Sequence, residues 1–131
     1  MRLTQSFDAI EAGEIDDFAF NISARLGRAQ IVAGGVTGLC RMTPFSGSGT
    51  LGGDPDPGAR IVGASFSNSG VYYRDVNGEL QLAPGVFAIV RLGPCPVSAA
   101  GGTYIVGYQA FLDDGRIIQD SSTVQCVLPG G

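Results

Sequence analysis

The chain has 131 residues, of which 44% are apolar and 15% are charged, and its formal net charge is −4. This length fits one ordinary domain rather than two, and the apolar share excludes a disordered acidic tail. Histidine is absent, which excludes Ser-His-Asp and Cys-His nucleophiles and histidine metal sites within the chain.

The basic side chains are eight arginines scattered along the chain, with no lysine. Binding along nucleic acid needs clustered positive charge, so we expect no nucleic-acid partner. No apolar run approaches the roughly 18 residues of a membrane span, and Met1–Ser6 lacks the apolar core of a signal peptide. We expect no membrane partner and synthesis in the cytoplasm. The low charge fits either a surface covered by other subunits or an arginine-rich codon usage.

Residues 1–17 show no clean periodicity and carry four acidic residues beyond position 10. They are predicted to form an extended N-terminal arm, followed by a single domain over residues 18–131. From Phe18 to Leu26 apolar and polar residues alternate, which predicts a half-buried strand with Ala24 on the apolar face. Residues 29–33 and 38–43 are predicted as two further short strands.

Residues 44–58 are rich in Gly, Ser and Pro and are predicted to be a long loop. The segment 47–52 fits the pattern GxGxxG, but Pro55 and Pro57 follow where a dinucleotide-binding fold needs a helix. Asp54 and Asp56 could give two oxygens to calcium, but the further ligands of an EF-hand are missing. We therefore predict surface turns here, with no cofactor and no metal.

After this loop, strands are predicted at residues 59–66, 70–75, 79–82 and 86–92, and a long hairpin at 103–112 and 116–128. The dipeptides Asn77-Gly78 and Asp114-Gly115 are typical of tight hairpin turns. About seven to nine short strands at this spacing predict an all-β fold, an Ig-like antiparallel β-sandwich, with a closed barrel as the alternative.

Three cysteines, Cys40, Cys95 and Cys126, occur without a CxxC pair, which argues against a zinc ribbon. A Cys40–Cys126 bridge between two sheets is conceivable, but in a reducing cytoplasm we expect small buried thiols. The remaining carboxylates, hydroxyls, arginines and thiols form no recognised catalytic constellation. We predict no enzymatic activity and no catalytic residues.

Two segments carry a resemblance, FDAIEAGEIDDFAFNISARL at 7–26 and YIVGYQAFLDDGR at 104–116. Together they resemble small virion proteins of tailed bacteriophages, the fiber-tail adaptor or neck proteins, in which a similar arm leads into a strand ending in Ala-Arg-Leu. The resemblance implies a non-enzymatic virion subunit in the neck or tail region. It also implies contacts with tail or neck subunits and with a fiber.

Such an adaptor gains affinity by burying apolar surface and by strand addition, and a symmetric ring of copies multiplies modest contacts. We therefore predict a homo-oligomeric ring in the particle, with partner contacts from the arm and from the loop over Phe45–Pro57. The predicted contact residues are Phe7, Ile10, Ile15, Phe45, Leu51, Asp54 and Asp56.

Two other functions fit the same sequence. A capsid decoration or head-tail completion protein shares the β-rich, lysine-free character. A carbohydrate-binding sandwich would stack sugar rings on exposed Tyr72, Tyr73, Tyr104 or Tyr108, and an exposed planar pair on one face would favour this function.

Overall fold

The structure is a computed structural model that describes residues 1–3, 9–43 and 53–129. These residues form ten strands, one short helix and two 3₁₀ turns. The strands are β1 (Arg2–Leu3), β2 (Ala9–Glu11), β3 (Asp16–Asn21), β4 (Ile31–Met42), β5 (Ile61–Ser67), β6 (Val71–Arg74), β7 (Leu80–Ala83), β8 (Phe87–Leu92), β9 (Thr103–Leu112) and β10 (Ile117–Val127). The helix α1 spans Ser23–Leu26, and the 3₁₀ turns span Pro57–Arg60 and Val97–Ala99.

The strands form two four-stranded sheets and a separate hairpin. Sheet 1 has the order β1-β3-β8-β5, sheet 2 has the order β2-β10-β9-β4, and β6 pairs only with β7. The predicted all-β sandwich is confirmed. Two pairs depart from antiparallel order, because β1 runs parallel to β3 and β2 runs parallel to β10.

The main core lies between the inner faces of the two sheets. On β9 the alternating side chains of Tyr104, Val106, Tyr108 and Ala110 are all buried in this core. The ring of Tyr108 meets that of Phe20 from sheet 1, with centroids 5.1 Å apart. Alternating inward residues on both sheets thus give one continuous apolar layer.

The strand predicted over residues 18–26 is wrong in its second half. It ends at Asn21, and the helix α1 follows over Ser23–Leu26. Ile22 and Leu26 are buried as expected, but Ala24 is exposed. The reason is that residues four apart share one face both in a strand and on a helical turn, so the pattern fits either structure at these two positions.

The two strands predicted at 29–33 and 38–43 are one strand, β4, with a register shift between Ile31 and Val36. The glycine pair at the shift explains the irregularity. Gly34 has φ +68°, and a Cβ on Gly35 would lie 2.7 Å from a methyl carbon of Val32. A bulge of this kind bends the strand without ending it.

The hairpin β6-β7 lies on the outer face of sheet 1, where it forms a second, smaller core. Val71 is buried there with Leu3, Ala19 and Phe87, and Tyr73, Ala83 and Ile89 pack beside them. A two-stranded hairpin is marginally stable alone. Its order therefore depends on one face being docked on the sheet.

Candidate interaction surfaces

The structure separates the seven predicted contact residues. Three lie outside the described residues, namely Phe7, Phe45 and Leu51. The other four lie in three different environments: the interior of the sandwich, its surface, and the end of the predicted long loop.

Ile10 is fully buried in the main core, which corrects its prediction as an anchor for a partner. It lies on β2, in parallel register with Cys126 on β10. The described part of residues 1–17 is likewise bonded into both sheets, since β1 pairs with β3. The acidic residues that suggested a solvated arm instead hold Arg2, whose guanidinium lies 2.7 Å from Asp16 and 3.0 Å from Glu14.

Ile15 stands at the surface with 55% of its area exposed. It lies between Glu14 and Asp16, the two residues that bind Arg2, so its backbone position is fixed while its side chain faces solvent. Its side chain is therefore accessible, and its role as a partner contact stays a prediction.

Asp54 is the most enclosed ionisable group in the predicted loop. Its side chain has no exposed area and accepts hydrogen bonds from Arg60 Nε at 2.7 Å and from the Tyr104 hydroxyl at 2.6 Å. The backbone N–H of Asp56 donates to the same carboxylate at 2.9 Å. Asp54 therefore holds the end of the loop against β9 and is not accessible to a partner, whereas Asp56 is exposed.

The environment of Asp54 acts on its pKa in two directions. Burial would raise the pKa of the carboxyl, but the hydrogen bonds from Arg60, Tyr104 and Asp56 outweigh this effect and lower it. The charged form is thus the one that the site stabilises. The same carboxylate, together with burial, raises the pKa of the Tyr104 phenol, so this hydroxyl acts as a hydrogen-bond donor.

The three thiols are free, and two of them, Cys95 and Cys126, are buried, as the sequence analysis expected. Desolvation raises the pKa of Cys40 to about 12 and that of Cys126 to about 11. It also raises the pKa of Cys95. Because the thiolate is the reactive form, these protonated thiols are poor nucleophiles and poor metal ligands. Among the described residues, no group of three or more acidic or cysteine side chains could hold a metal ion.

An exposed apolar surface missed by the sequence analysis is the outer face of the β6-β7 hairpin, here called the hairpin face. Tyr72 lies directly opposite Leu82, and Arg74 lies opposite Leu80. Tyr72 is 62% exposed, Leu80 56% and Leu82 48%, and Val76 at the hairpin tip is fully exposed. Contiguous apolar patches of several hundred Å² are typical of interaction sites.

Sequence alternation could not identify this face. In the segment Val71-Tyr72-Tyr73, apolar or aromatic side chains point to both sides of the strand, so the pattern does not say which side docks. Leu80 and Leu82 alternate as an inward pair would, yet both face outward. The docked side is decided by Val71 and Tyr73, which fit against sheet 1.

A shallow groove of about 580 Å³ lies on sheet 2 and is lined by residues of its three longest strands. Its floor is Gly107, which lies between Leu39 on β4 and Ser121 on β10. A Cβ on Gly107 would meet the Asp120 carbonyl oxygen at 2.6 Å, so the two strands approach closely here. Arg41 and Ile105 form one end of the groove, which therefore combines a cation with apolar walls.

Among the described residues, which include all four tyrosines, no two tyrosine rings are exposed on one face. Tyr104 and Tyr108 are buried in the main core. Tyr72 and Tyr73 are consecutive on β6, so their rings point to opposite sides, and Tyr73 packs against the second core. Tyr72 is the one tyrosine exposed for stacking.

No family model matches the chain, and no curated protein matches it. Within the part of the chain that the structure describes, no helix is long and apolar enough to cross a membrane.

Proposed function

We propose that this chain is a non-enzymatic structural subunit of a tailed-bacteriophage virion. In this proposal it is an adaptor in the neck or tail region that attaches fibers or joins tail components, and it assembles with copies of itself into a ring. The observation that carries the proposal is the hairpin face, where the exposed side chains of Tyr72, Leu80 and Leu82 lie together on neighbouring strands.

The energetics of this face favour a protein-protein contact. Burying a leucine or tyrosine side chain stabilises a complex by about 1.5–3 kcal/mol before the costs of association. A standard interface buries roughly 800 Å² and roughly 20–30 residues on each partner, and the hairpin face contributes only a few residues. A single contact of this size is weak, and a closed ring that repeats it gains strength from avidity.

The charge pattern supports the same interpretation. Arg74 is a cation at the edge of the hairpin face, and its Nη1 donates to the carbonyl of Gly78 at 3.1 Å. A partner surface that combines apolar side chains with a carboxylate would suit this face. The placement in the neck or tail rests on the resemblance of residues 7–26 and 104–116 to adaptor proteins.

The role of the hairpin face can be tested with a triple variant, Tyr72→Ser, Leu80→Ser and Leu82→Ser. We expect the purified wild-type chain to self-associate with rising concentration in light scattering, and the variant to stay monomeric with an unchanged fold. A matched control is Val62→Ser, Val97→Ser and Leu128→Ser, whose side chains are 53%, 56% and 50% exposed elsewhere on the surface. Equal behaviour of the two triple variants would contradict the role of the hairpin face.

The virion assignment can be tested by peptide mass spectrometry of particles purified from the phage, or the host, whose genome encodes the chain. A copy number that is a small multiple of the rotational symmetry of the tail is expected. A copy number that scales with the capsid lattice would replace the adaptor with a decoration protein. Absence of the chain from particles would overturn the virion assignment.

A further inference from the structure

Strand β10 has one side that no described strand covers along most of its length. The backbone of Leu112 bonds to Arg116, and that of Cys126 bonds to Gly102, so even-numbered residues of β10 face β9. Because bonded pairs alternate in an antiparallel ladder, the N–H and C=O groups of odd-numbered residues point to the other side. On that side β2 pairs with Gln125–Val127, and no described strand pairs with Ile117–Val124.

Two polar side chains occupy the middle of this edge. Arg25, on helix α1, donates from Nη1 to the carbonyl oxygen of Gln119 at 2.8 Å, across 94 residues of sequence. Asp120 accepts a hydrogen bond from the backbone N–H of Ser121 at 2.8 Å. The outward carbonyl of Gln119 and the outward N–H of Ser121 are thus each bonded to a side chain, at the place where a strand would otherwise pair.

The backbone around Arg25 is itself held in place by Arg116. The guanidinium of Arg116, the residue before β10, donates to the carbonyls of Arg25 and Leu26 at 3.1 and 2.8 Å. Arg116 is in turn held by Asp114 at 2.8 Å. The short helix is therefore fastened to the turn between β9 and β10, which keeps Arg25 beside the edge.

The side chains along this edge would suit pairing with themselves. Ile117, Gln119, Ser121 and Thr123 are uncharged and include the β-formers Ile and Thr. An antiparallel two-fold pairing of two copies that sets Gln119 opposite Ser121 satisfies the outward groups of both strands. In this register the Asp120 side chains of the two copies stand opposite each other and repel.

We propose that Arg25 and Asp120 close the β10 edge against strand addition by a second copy of this chain. Arg25 occupies the Gln119 carbonyl and Asp120 occupies the Ser121 N–H. The Asp120 charge opposes the two-fold register. Unpaired edges are templates for chain-to-chain pairing, and charged side chains at an edge are a common means of blocking them. The closed edge leaves side-chain surfaces, rather than backbone pairing, to set how copies associate.

The test is the double variant Arg25→Ala and Asp120→Ala, studied as the full chain. We expect it to self-associate at a concentration about tenfold or more below that of the wild type, measured by light scattering. Hydrogen exchange should show new protection at residues 117–123. The matched control is Arg28→Ala and Asp56→Ala, which removes the same charges from exposed residues away from the edge and should behave as wild type.

A third substitution locates the contact. Ser121→Pro, added to the double variant, removes an outward N–H without touching the ladder to β9, so it should abolish the new association. Association that persists in this triple variant would overturn the proposal, because the contact would then lie elsewhere. The hairpin-face variants leave the β10 edge intact, so failure of this test and failure of the proposed function are distinguishable.

If the double variant does not fold, the single variant Asp120→Ser tests the proposal instead, because it keeps Arg25 in place. Circular dichroism and hydrogen exchange of β9 establish whether each variant is folded. The single variant should associate less than the double variant but more than the wild type. Wild-type behaviour of every folded variant would overturn the proposal.

Discussion

The N-terminal segment is packed into the fold although its sequence suggests exposure, and the β6-β7 hairpin exposes side chains whose sequence suggests burial. The first is rich in acidic residues, yet its described part is bonded into both sheets and places Ile10 in the main core. The second is rich in apolar and aromatic residues, yet it belongs to neither sheet and leaves Leu80 and Leu82 exposed. Apolar side chains are thus not enough to predict burial, because burial also requires a second surface to dock on.

The largest effect expected from this comparison is that of Ile10→Ala. Removing a fully buried isoleucine side chain loses its transfer free energy and leaves a cavity, so the free energy of unfolding should fall by about 2–5 kcal/mol. Leu82→Ala on the hairpin face should change it by no more than about 0.5 kcal/mol. Chemical denaturation of both variants checks the contrast.

Ile15→Ala is the control for residue type within the same segment, because Ile15 is 55% exposed. It should resemble Leu82→Ala rather than Ile10→Ala. An equally small effect at Ile10 would mean that β2 is not docked in solution and that residues 1–17 form the extended arm predicted from the sequence.

The next effect concerns Asp54, which fastens the loop end to the same core. Asp54→Ala leaves the Tyr104 hydroxyl and the Arg60 guanidinium without their acceptor, so we expect a loss of about 2–3 kcal/mol in the free energy of unfolding. Asp56→Ala removes a neighbouring exposed carboxylate and should have little effect. Equal losses in the two variants would contradict the role of Asp54.

The pH dependence of Asp54 has a defined sign. The pKa of its carboxyl is lower in the folded state than in the unfolded state, so its contribution to stability is complete above the unfolded pKa of about 3.9 and is lost as the pH falls through the folded pKa. Unfolding measured against pH should therefore show a gap between wild type and Asp54→Asn that narrows below about pH 4. Other carboxylates are common to both proteins and cancel in this difference. A gap that does not change with pH would contradict the charged state of Asp54.

The smallest effect is expected at the thiols, where the quantity measured is chemical reactivity. In the wild type a disulfide reagent at pH 8 should react slowly with all three thiols, because burial raises their pKa values. Cys126 pairs with Ile10, so Ile10→Ala should speed its labelling by loosening β2. Mass spectrometry of the labelled protein identifies which cysteine has reacted, and Cys40→Ser is the control in which Cys40 cannot be labelled. Fast labelling of Cys126 in the wild type would show that β2 opens readily.

Much of the fold could be predicted because periodicity reports directly on burial where two layers meet. The predicted hairpin over residues 103–112 and 116–128 is present as β9 and β10, and the Asp114-Gly115 dipeptide lies in the turn between them. The candidate surfaces were harder to predict. Ile15 is exposed as expected, but Asp54 appeared to be a surface turn residue because its partners Arg60 and Tyr104 are 6 and 50 residues away.

The sequence by itself determined the all-β class, the positions of most strands and the absence of histidine chemistry, because these depend on local pattern and composition. Only the tertiary structure decided which side of the hairpin docks, that Ile10 closes the core, and that Arg25 reaches Gln119 across the sheet edge. These outcomes depend on which surfaces meet in space. Contacts between residues far apart in the chain decide these outcomes, and a local sequence pattern carries no information about such contacts.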